Sequence, residues 1–443
     1  MANFAWFFRG ITILSFCIPM LAYAATPVKS MVVFGDSLSD TGNTTHLLKS
    51  LRQEDDPAFL VAPFKTFVLN KMIEFADEYY VPQMVLDSGI AVVNEFFDKQ
   101  IAPYIASLVS KVRVVPVLPG QPYWNSRFSN GRVWNEYLAA MLALPQDDET
   151  QYLNRAFGGS WSATYDYQLT VWNLIRHPLG SIKNLIVGKL VPPSLGLTVQ
   201  AYLLEHKKLN PETLYFIFTG SNDYINVLFF EANYDPTVMS TYVDNVISGL
   251  GSSVKRLVNA GARRFVVMGL PHLGDTPRLI NNPLDREVLN TAIDNHNERL
   301  QSRLKEWQQL YPDTDFVYVD INKYMQRALA SPATYGFSNT TDACIDVKFP
   351  MFDALKNSPF ANNYVLRYAQ TLQYRDARLA PDEKNYHVCD APDGFLFWDE
   401  IHPGTRAHAY LAFEICNQLK DHGYSVRCSK PDSALAENEP QAY

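Results

Sequence analysis

The chain has 443 residues and a formal net charge of −8 at pH 7, from 38 lysines and arginines against 46 aspartates and glutamates. This acidic balance argues against nucleic acid as a general partner. Hydrophobic residues make up 47% of the chain and aromatic residues 13%, so the chain can bury a substantial core.

Residues 1–24 predict a secretory signal peptide. Arg9 is followed by an apolar run at residues 11–21, and residues 22–24 (Ala-Tyr-Ala) provide a small-residue cleavage site. The apolar run is too short to cross a bilayer as a helix. We therefore expect a secreted protein whose mature chain begins near Ala25 or Thr26.

Four short apolar runs predict buried parallel strands, because they lie between patterns of helical period. These runs are residues 31–34, 214–218, 265–268 and 316–319. Helices are predicted at residues 241–259, 285–310 and 404–420, and Pro403 suits the first turn of the last one. Strands that alternate with helices indicate a layered α/β domain. We assign residues 25–428 to a single domain and residues 429–443 to a frayed acidic tail.

An insert at residues 46–119 interrupts the alternation of strands and helices. Its apolar side chains recur at close to helical period, which predicts a helical pair packed on the core. A lid or a membrane-facing cap over a functional site is the alternative.

Four cysteines remain after the predicted signal peptide is removed: Cys344, Cys389, Cys416 and Cys428. An even number in a secreted chain predicts two disulfides, for which three connectivities are possible. We favour Cys344–Cys389 and Cys416–Cys428, because each pair closes one sequence-local loop. No cysteine or histidine cluster has the spacing of metal ligands, so no metal site is expected.

The loop between the first two cysteines, residues 344–389, is a second interruption. It carries basic residues such as Arg375 and Arg378. Exposed basic residues in a tethered loop are typical protease targets, and an ordinary solvated loop is the alternative.

Ser37 is the candidate nucleophile, because it lies in a polar, glycine-bearing turn directly after the first predicted strand. The ends of buried strands in open α/β sheets are where such proteins hold reactive groups. A serine hydroxyl is a weak nucleophile that needs a base and a group to orient that base. His402 and Asp399, three positions apart, supply both, and His272 with Asp275 is the rival pair.

An ester-cleaving serine also needs donors for the oxygen that becomes negative when the carbonyl is attacked. The Ser37 backbone N–H is one candidate donor. The Gly158–Gly159 turn offers a second, because glycine lets the backbone approach a substrate closely. The side-chain amide of Asn222, just after the predicted strand at residues 214–218, is the third.

As a set, these blocks resemble the GDSL, or SGNH, hydrolase family: Gly35-Asp36-Ser37-Leu38, Gly159, Gly220-Ser221-Asn222-Asp223 and Asp399-x-x-His402. The resemblance implies a flavodoxin-like, three-layer αβα sandwich with a central parallel sheet. It implies Ser37 as nucleophile, His402 as base and Asp399 as its orienter. It also implies Ser37, Gly159 and Asn222 as the oxyanion donors, and no cofactor.

Residues 127–134, 269–274 and 397–399 are similar to secreted bacterial glycerophospholipid:cholesterol acyltransferases of the PlaC-like group. That resemblance implies phospholipase A and lysophospholipase activity on phospholipid and lysophospholipid, during transient contact with a membrane surface. It implies cholesterol as an acyl acceptor. It also implies that a protease activates the enzyme by cutting the loop at residues 344–389.

Three other functions stay open on the sequence alone. The first is a secreted esterase of the same fold that acts on short-chain or carbohydrate acyl esters, because the blocks define acyl chemistry better than chain length. The second is a metal-dependent phosphoesterase, which needs several histidine and aspartate ligands that converge on a metal. The third is a non-catalytic surface-binding protein.

Overall fold

The structure is a computed structural model that describes residues 26–53, 79–103, 119–163, 194–230, 236–347 and 386–431, with Lys65, Val68, Leu69, Met72, Ile73 and Ala76. The predicted signal peptide, most of the loop at residues 344–389 and most of the predicted tail lie outside these residues. The same is true of parts of the insert at residues 46–119.

The strands and helices are numbered in the order in which they follow along the chain. The strands are β1 (Thr26–Pro27), β2 (Met31–Gly35), β3 (Tyr152–Asn154), β4 (Leu214–Phe218), β5 (Arg264–Met268), β6 (Asp315–Val319), β7 (Asn339–Ala343), β8 (Ile345–Val347), β9 (Tyr386–Val388), β10 (Phe395–Phe397) and β11 (Tyr424–Ser425). The α-helices are α1 (Asn43–Gln53), α2 (Gln83–Phe96), α3 (Trp134–Met141), α4 (Leu195–Glu205), α5 (Ser221–Phe230), α6 (Pro236–Asn259), α7 (Pro283–Leu310), α8 (Ile321–Ala330) and α9 (Thr405–Asp421).

A five-stranded parallel sheet forms the centre of the fold, with the order β3-β2-β4-β5-β6. The first strand of the sheet along the chain therefore lies second in space, which is the flavodoxin-like order. Every residue of β2 and β4 is buried, as expected for parallel strands that are covered on both faces. The chain reverses direction across the sheet beside β2, and ligands of such folds bind at that point, outside the carboxyl ends of the strands.

Helices cover both faces of this sheet. Helix α4 contacts β2, and α6 packs against both α4 and α7. Helices α3 and α9 pack against each other. The chain crosses the sheet in opposite directions before and after β3. Because such crossovers are right-handed as a rule, these two groups of helices belong on opposite faces. The three-layer αβα sandwich predicted from the sequence is confirmed.

The four predicted strands are all present in the sheet, and the edge strand β3 adds to them. Three residues of mixed polarity, Tyr-Leu-Asn, are too short to give a strand signal. The prediction for Pro403 is wrong. Helix α9 begins at Thr405 with Gly404 as its N-cap, because Pro403 instead forms an antiparallel bridge with Phe397.

Both predicted disulfides are present, with the pairing favoured from the sequence. Cys344–Cys389 has a Cα–Cα distance of 5.0 Å, and Cys416–Cys428 has one of 5.6 Å. Strands β8 and β9 pair antiparallel next to the first disulfide, so the two ends of the bracketed loop are held together.

Helix α2 belongs to the insert and has no buried side chain. Its apolar residues Met84, Val85 and Val92 are exposed, whereas Phe97 in the π-helical turn that follows is buried. The described part of the insert is thus helical as predicted, but α2 does not pack on the core. None of the helices in the described part of the chain combines the length and hydropathy needed to cross a membrane.

Candidate active site

The three residues predicted to bind the oxyanion lie after neighbouring strands of the sheet. Ser37 follows β2, Gly159 follows β3 and Asn222 follows β4. The carboxyl ends of parallel strands share one edge of the sheet, so these turns converge. The Phe157 N–H donates to the Gly35 carbonyl at 3.1 Å, which extends the contact between β2 and β3 into the turns.

Ser37, His402 and Asp399 form a continuous hydrogen-bonded chain. The Ser37 hydroxyl is 2.8 Å from His402 Nε2, although the two residues are 365 positions apart. His402 Nδ1 is 2.7 Å from Asp399 Oδ2. All three side chains are buried. This arrangement satisfies the distance requirement for a serine, a base and a group that orients the base.

The Asp399 carboxylate is surrounded by hydrogen-bond donors. Its Oδ1 accepts the backbone N–H groups of Ile401 at 2.8 Å and His402 at 2.6 Å. Its Oδ2 accepts the Tyr123 hydroxyl at 2.7 Å as well as His402 Nδ1. Burial alone would raise the pKa of Asp399, but the His402 charge and these hydrogen bonds lower the pKa below its ordinary value. Asp399 is therefore a carboxylate at neutral pH.

The segment at residues 127–134 holds the loop that carries His402. The sequence alone did not indicate this role. The Phe128 ring centroid lies 5.3 Å from that of His402. The Ser129 hydroxyl donates to the Pro403 carbonyl at 2.9 Å, and Asn130 Oδ1 accepts the Thr405 N–H at 2.7 Å. The start of α9 is thereby fixed against the segment that precedes α3.

A glycine is required at position 35 because the strand end is crowded. A Cβ there would lie 2.7 Å from Ser39 Oγ and 2.9 Å from the Phe218 carbonyl oxygen of β4. Beyond Gly35, the Asp36 Oδ1 atom accepts the Leu38 N–H at 3.1 Å. This contact closes the turn that presents Ser37.

Asp40 links the Ser37 turn to the glycine turn after β3. Its Oδ2 accepts the Gly158 N–H at 2.9 Å, and its Oδ1 accepts the N–H groups of Gly42 and Asn43. The next residue, Gly159, has φ +78°, a backbone conformation that favours glycine. Asp40 therefore sets the position of the second predicted oxyanion donor.

The Asn222 amide faces the same turn. Its Nδ2 donates one hydrogen to the Ser160 carbonyl at 3.0 Å. A side-chain amide carries two N–H donors, so the second is available to a substrate oxygen. The neighbouring Asp223 accepts the N–H groups of Ser162 and Ala163, both at 2.8 Å, which anchors the far end of the turn.

The rival base predicted from the sequence is not in contact with Ser37. His272 Nε2 is 2.8 Å from Asp294 Oδ1, and its Nδ1 is 3.6 Å from Asp275 Oδ2. Among the described residues, no group of three or more His, Cys, Asp or Glu side chains could hold a metal ion. Sequence reasoning missed Tyr123, which lies 276 positions from its partner Asp399 and has no sequence signal.

A mostly apolar pocket opens at Ser37 and His402. It runs past the ends of β4 and β5 towards helices α8 and α9. Its apolar wall includes Phe218, Ile225, Leu273, Ile321, Met325 and Leu411. An apolar group of a substrate would be favourably removed from water along this wall, next to Ser37.

Asp36 provides a test of the electrostatics of the site. Burial raises the pKa of Asp36 to about 7, and its Oδ2 has no hydrogen-bond partner among the described residues. The unfolded carboxyl ionises near its ordinary pKa of 3.8, so folding becomes less favourable as pH rises from about 4 to 7.

We therefore expect Asp36→Asn to be more stable than the wild type above pH 5. The gain in unfolding free energy should grow with pH to at most about 4 kcal/mol, from ~1.4 kcal/mol per unit of pKa shift. Denaturant titrations of both proteins between pH 4 and 8 measure it. A difference that does not vary with pH would contradict the expectation.

A buried serine, imidazole and carboxylate chain at the carboxyl edge of a parallel sheet, beside convergent backbone and amide donors, defines the class of α/β hydrolytic enzymes that use serine. Within that class, the sequence profile of the GDSL-like lipase/acylhydrolase family matches residues 31–415. The chain belongs to this family.

Several plant proteins are similar to the chain. It is 25% identical to GDSL esterase/lipase 5 of Arabidopsis thaliana over 66% of this chain and 71% of that protein. It is 22% identical to GDSL esterase/lipase 6 of the same plant over 91% of this chain and 90% of the relative. A third relative, the anther-specific proline-rich protein APG, is 25% identical, and the match spans 59% of its length. These relatives support the family and not the narrower bacterial acyltransferase group.

Proposed function

We propose that this protein is a secreted acyl hydrolase and acyltransferase that acts on phospholipids and lysophospholipids through an acyl-enzyme on Ser37. The observation that carries the proposal is the hydrogen-bonded chain from Asp399 through His402 to Ser37, which opens on an apolar pocket. Relatives named as esterases or lipases agree with ester chemistry.

The proposed reaction begins when His402 Nε2 accepts the Ser37 proton and the serine oxygen attacks the ester carbonyl. The developing oxyanion accepts hydrogen bonds from the Ser37 N–H, the Gly159 N–H and the second amide hydrogen of Asn222. The lysolipid or glycerol oxygen then leaves with the proton from His402. Water yields a free fatty acid in the second half of the reaction, and the cholesterol hydroxyl yields a sterol ester.

A lipid substrate is favoured by the apolar wall of the pocket and by the surface of α2. Met84, Val85 and Val92 are 81%, 58% and 66% exposed on that helix. Apolar side chains on an exposed helix are suited to transient contact with a membrane surface. The proposed location outside the cell rests on the signal sequence at residues 1–24 and is consistent with the two disulfides.

The loop at residues 344–389 is the proposed site of activation. Its ends are joined by the Cys344–Cys389 disulfide, so a cut within the loop leaves both pieces attached. Strand β10 and the His402 loop follow Cys389 directly, which connects the state of the loop to the active site.

The test is to incubate the mature protein with phosphatidylcholine vesicles that contain cholesterol, before and after limited trypsin treatment. Fatty acid, lysolipid and sterol ester are quantified separately, and a Cys344→Ser/Cys389→Ser variant serves as the control for a tethered cut. We expect lysolipid and fatty acid from the intact protein, and more sterol ester after cleavage than before it.

Other outcomes would replace parts of the proposal. Release of acetate from short-chain or carbohydrate esters, with no fatty acid from vesicles, would favour the secreted esterase. Loss of activity with chelator would favour a metal-dependent phosphoesterase. Sterol ester that does not increase after cleavage would remove the activation step, and no hydrolysis of any ester would favour a non-catalytic surface-binding protein.

A further inference from the structure

The pocket beside Ser37 contains buried polar atoms that have no hydrogen-bond partner within the described part of the chain. They are Asp36 Oδ2, Ser221 Oγ and both ring nitrogens of His408, and all three residues line the pocket. None of these residues is more than 6% exposed. A buried polar atom without a hydrogen bond is costly, so four of them along one pocket wall point to a ligand that supplies the missing bonds.

The missing hydrogen bonds are clearest at His408, because neither of its ring nitrogens has a partner among the described residues. It lies on α9, six residues after His402, and burial lowers its pKa to about 3. The ring is therefore neutral at pH 7, with one N–H donor and one acceptor nitrogen. Ser221 is the first residue of α5, and its hydroxyl likewise donates one hydrogen bond and accepts others.

A hydroxyl group is the ligand that matches these atoms, since it also donates one hydrogen bond and accepts others. Much of the remaining wall is apolar and offers no hydrogen bond to the hydroxyl of a water or an alcohol. We propose that Ser221 and His408 form a hydroxyl-binding subsite that holds the water or alcohol that takes the acyl group from Ser37. This inference rests on the proposed function and assigns the acceptor position within the same site.

In the step that the subsite serves, the acceptor oxygen attacks the acyl carbonyl while His402 Nε2 takes the acceptor proton. A new bond forms between the carbonyl carbon and the acceptor oxygen, and the bond to Ser37 Oγ breaks. The proton passes from His402 to the Ser37 oxygen, which restores the free enzyme. Ser221 and His408 act as positioning residues: they orient the acceptor, and neither gains nor loses a proton in this step.

His408→Phe is the main test, because phenylalanine keeps the ring and removes both hydrogen-bonding atoms. The probe is p-nitrophenyl hexanoate, for which nitrophenol release reports acylation, and the acyl-enzyme is followed by intact-protein mass. Acceptors are water alone and water with added 1-butanol. We expect deacylation to slow by about tenfold, equivalent to loss of one hydrogen bond. The acylation rate should stay within about twofold, so acyl-enzyme accumulates.

Two further variants separate positioning from packing. His408→Gln restores an amide donor and acceptor and should recover most of the deacylation rate. Ser221→Ala should slow deacylation, whereas Ser253→Ala should not. Ser253 is the matched control, because its hydroxyl is also buried and unpartnered but lies on α6 and does not line the pocket. Thermal unfolding of each variant verifies that it is folded.

The outcomes distinguish this inference from the proposed function. Absence of nitrophenol release by the wild type, or release that is unchanged in Ser37→Ala, would contradict the proposed function. A normal acyl-enzyme whose breakdown is unchanged in His408→Phe would overturn the subsite alone. Equal loss of acylation and deacylation, or an equal effect of Ser253→Ala, would also overturn it.

Discussion

Replacing Ser37 by alanine is expected to lower kcat for ester hydrolysis by about 10⁶-fold, and replacing His402 by alanine should have a similar effect. The hydroxyl and the imidazole are 2.8 Å apart, and in the proposed reaction they act on the same proton, so neither is useful there without the other. The double variant should therefore be about as active as either single variant. Residual activity comes from the oxyanion donors and substrate binding, which remain.

The measurement is the steady-state rate on a p-nitrophenyl ester and on phosphatidylcholine vesicles, with far-UV circular dichroism to verify folding. His422→Ala is the control for loss of a histidine, because this residue lies after α9 and pairs with Asp315 on the surface. Its activity should match the wild type. If the effects of Ser37→Ala and His402→Ala multiplied in the double variant, the two side chains would not form one catalytic unit.

The central sheet could be predicted from the sequence because its strands are fully buried. Runs such as Leu214–Phe218 contain almost only large apolar residues, and helical periods separate them. The edge strand Tyr152–Asn154 could not be predicted, because it is short and its pairing with β2 supplies the stability. The prediction for Pro403 was wrong for a related reason, because a bridge to Phe397 determines the local backbone conformation.

The candidate site also has a part that the sequence predicts and a part that only the folded structure reveals. The reactive residues lie in short motifs whose chemistry can be read directly, such as the serine turn and the Asp399-x-x-His402 block. Their supports are long-range contacts without a local pattern. Tyr123 reaches Asp399 across 276 positions, and Asp40 reaches Gly158 across 118. Only folding shows that these side chains supply hydrogen bonds to the site, because the sequence carries no periodicity that links them.

Asp399→Asn is expected to lower kcat by about 10⁴-fold while leaving the fold intact, because the amide imposes the wrong histidine tautomer. Asp399 Oδ1 accepts hydrogen bonds from the backbone N–H groups of Ile401 and His402. A backbone N–H can only donate, so the atom at this position must be an acceptor. The asparagine oxygen must therefore occupy that position. Its NH₂ group then faces His402 Nδ1, which has to accept, so Nε2 carries the proton and cannot take one from Ser37.

Tyr123→Phe is the matched control for Asp399→Asn, since it removes one donor to Asp399 Oδ2 and leaves the carboxylate in place. Loss of one hydrogen bond to a charged group costs about 1.5–3 kcal/mol, which limits the fall in kcat to roughly 10²-fold. The histidine keeps the correct tautomer in that variant, because the carboxylate still accepts from Nδ1. Equal losses in the two variants would contradict a role of Asp399 in fixing the tautomer of His402. A hundredfold or greater gap would place its role in the tautomer of His402.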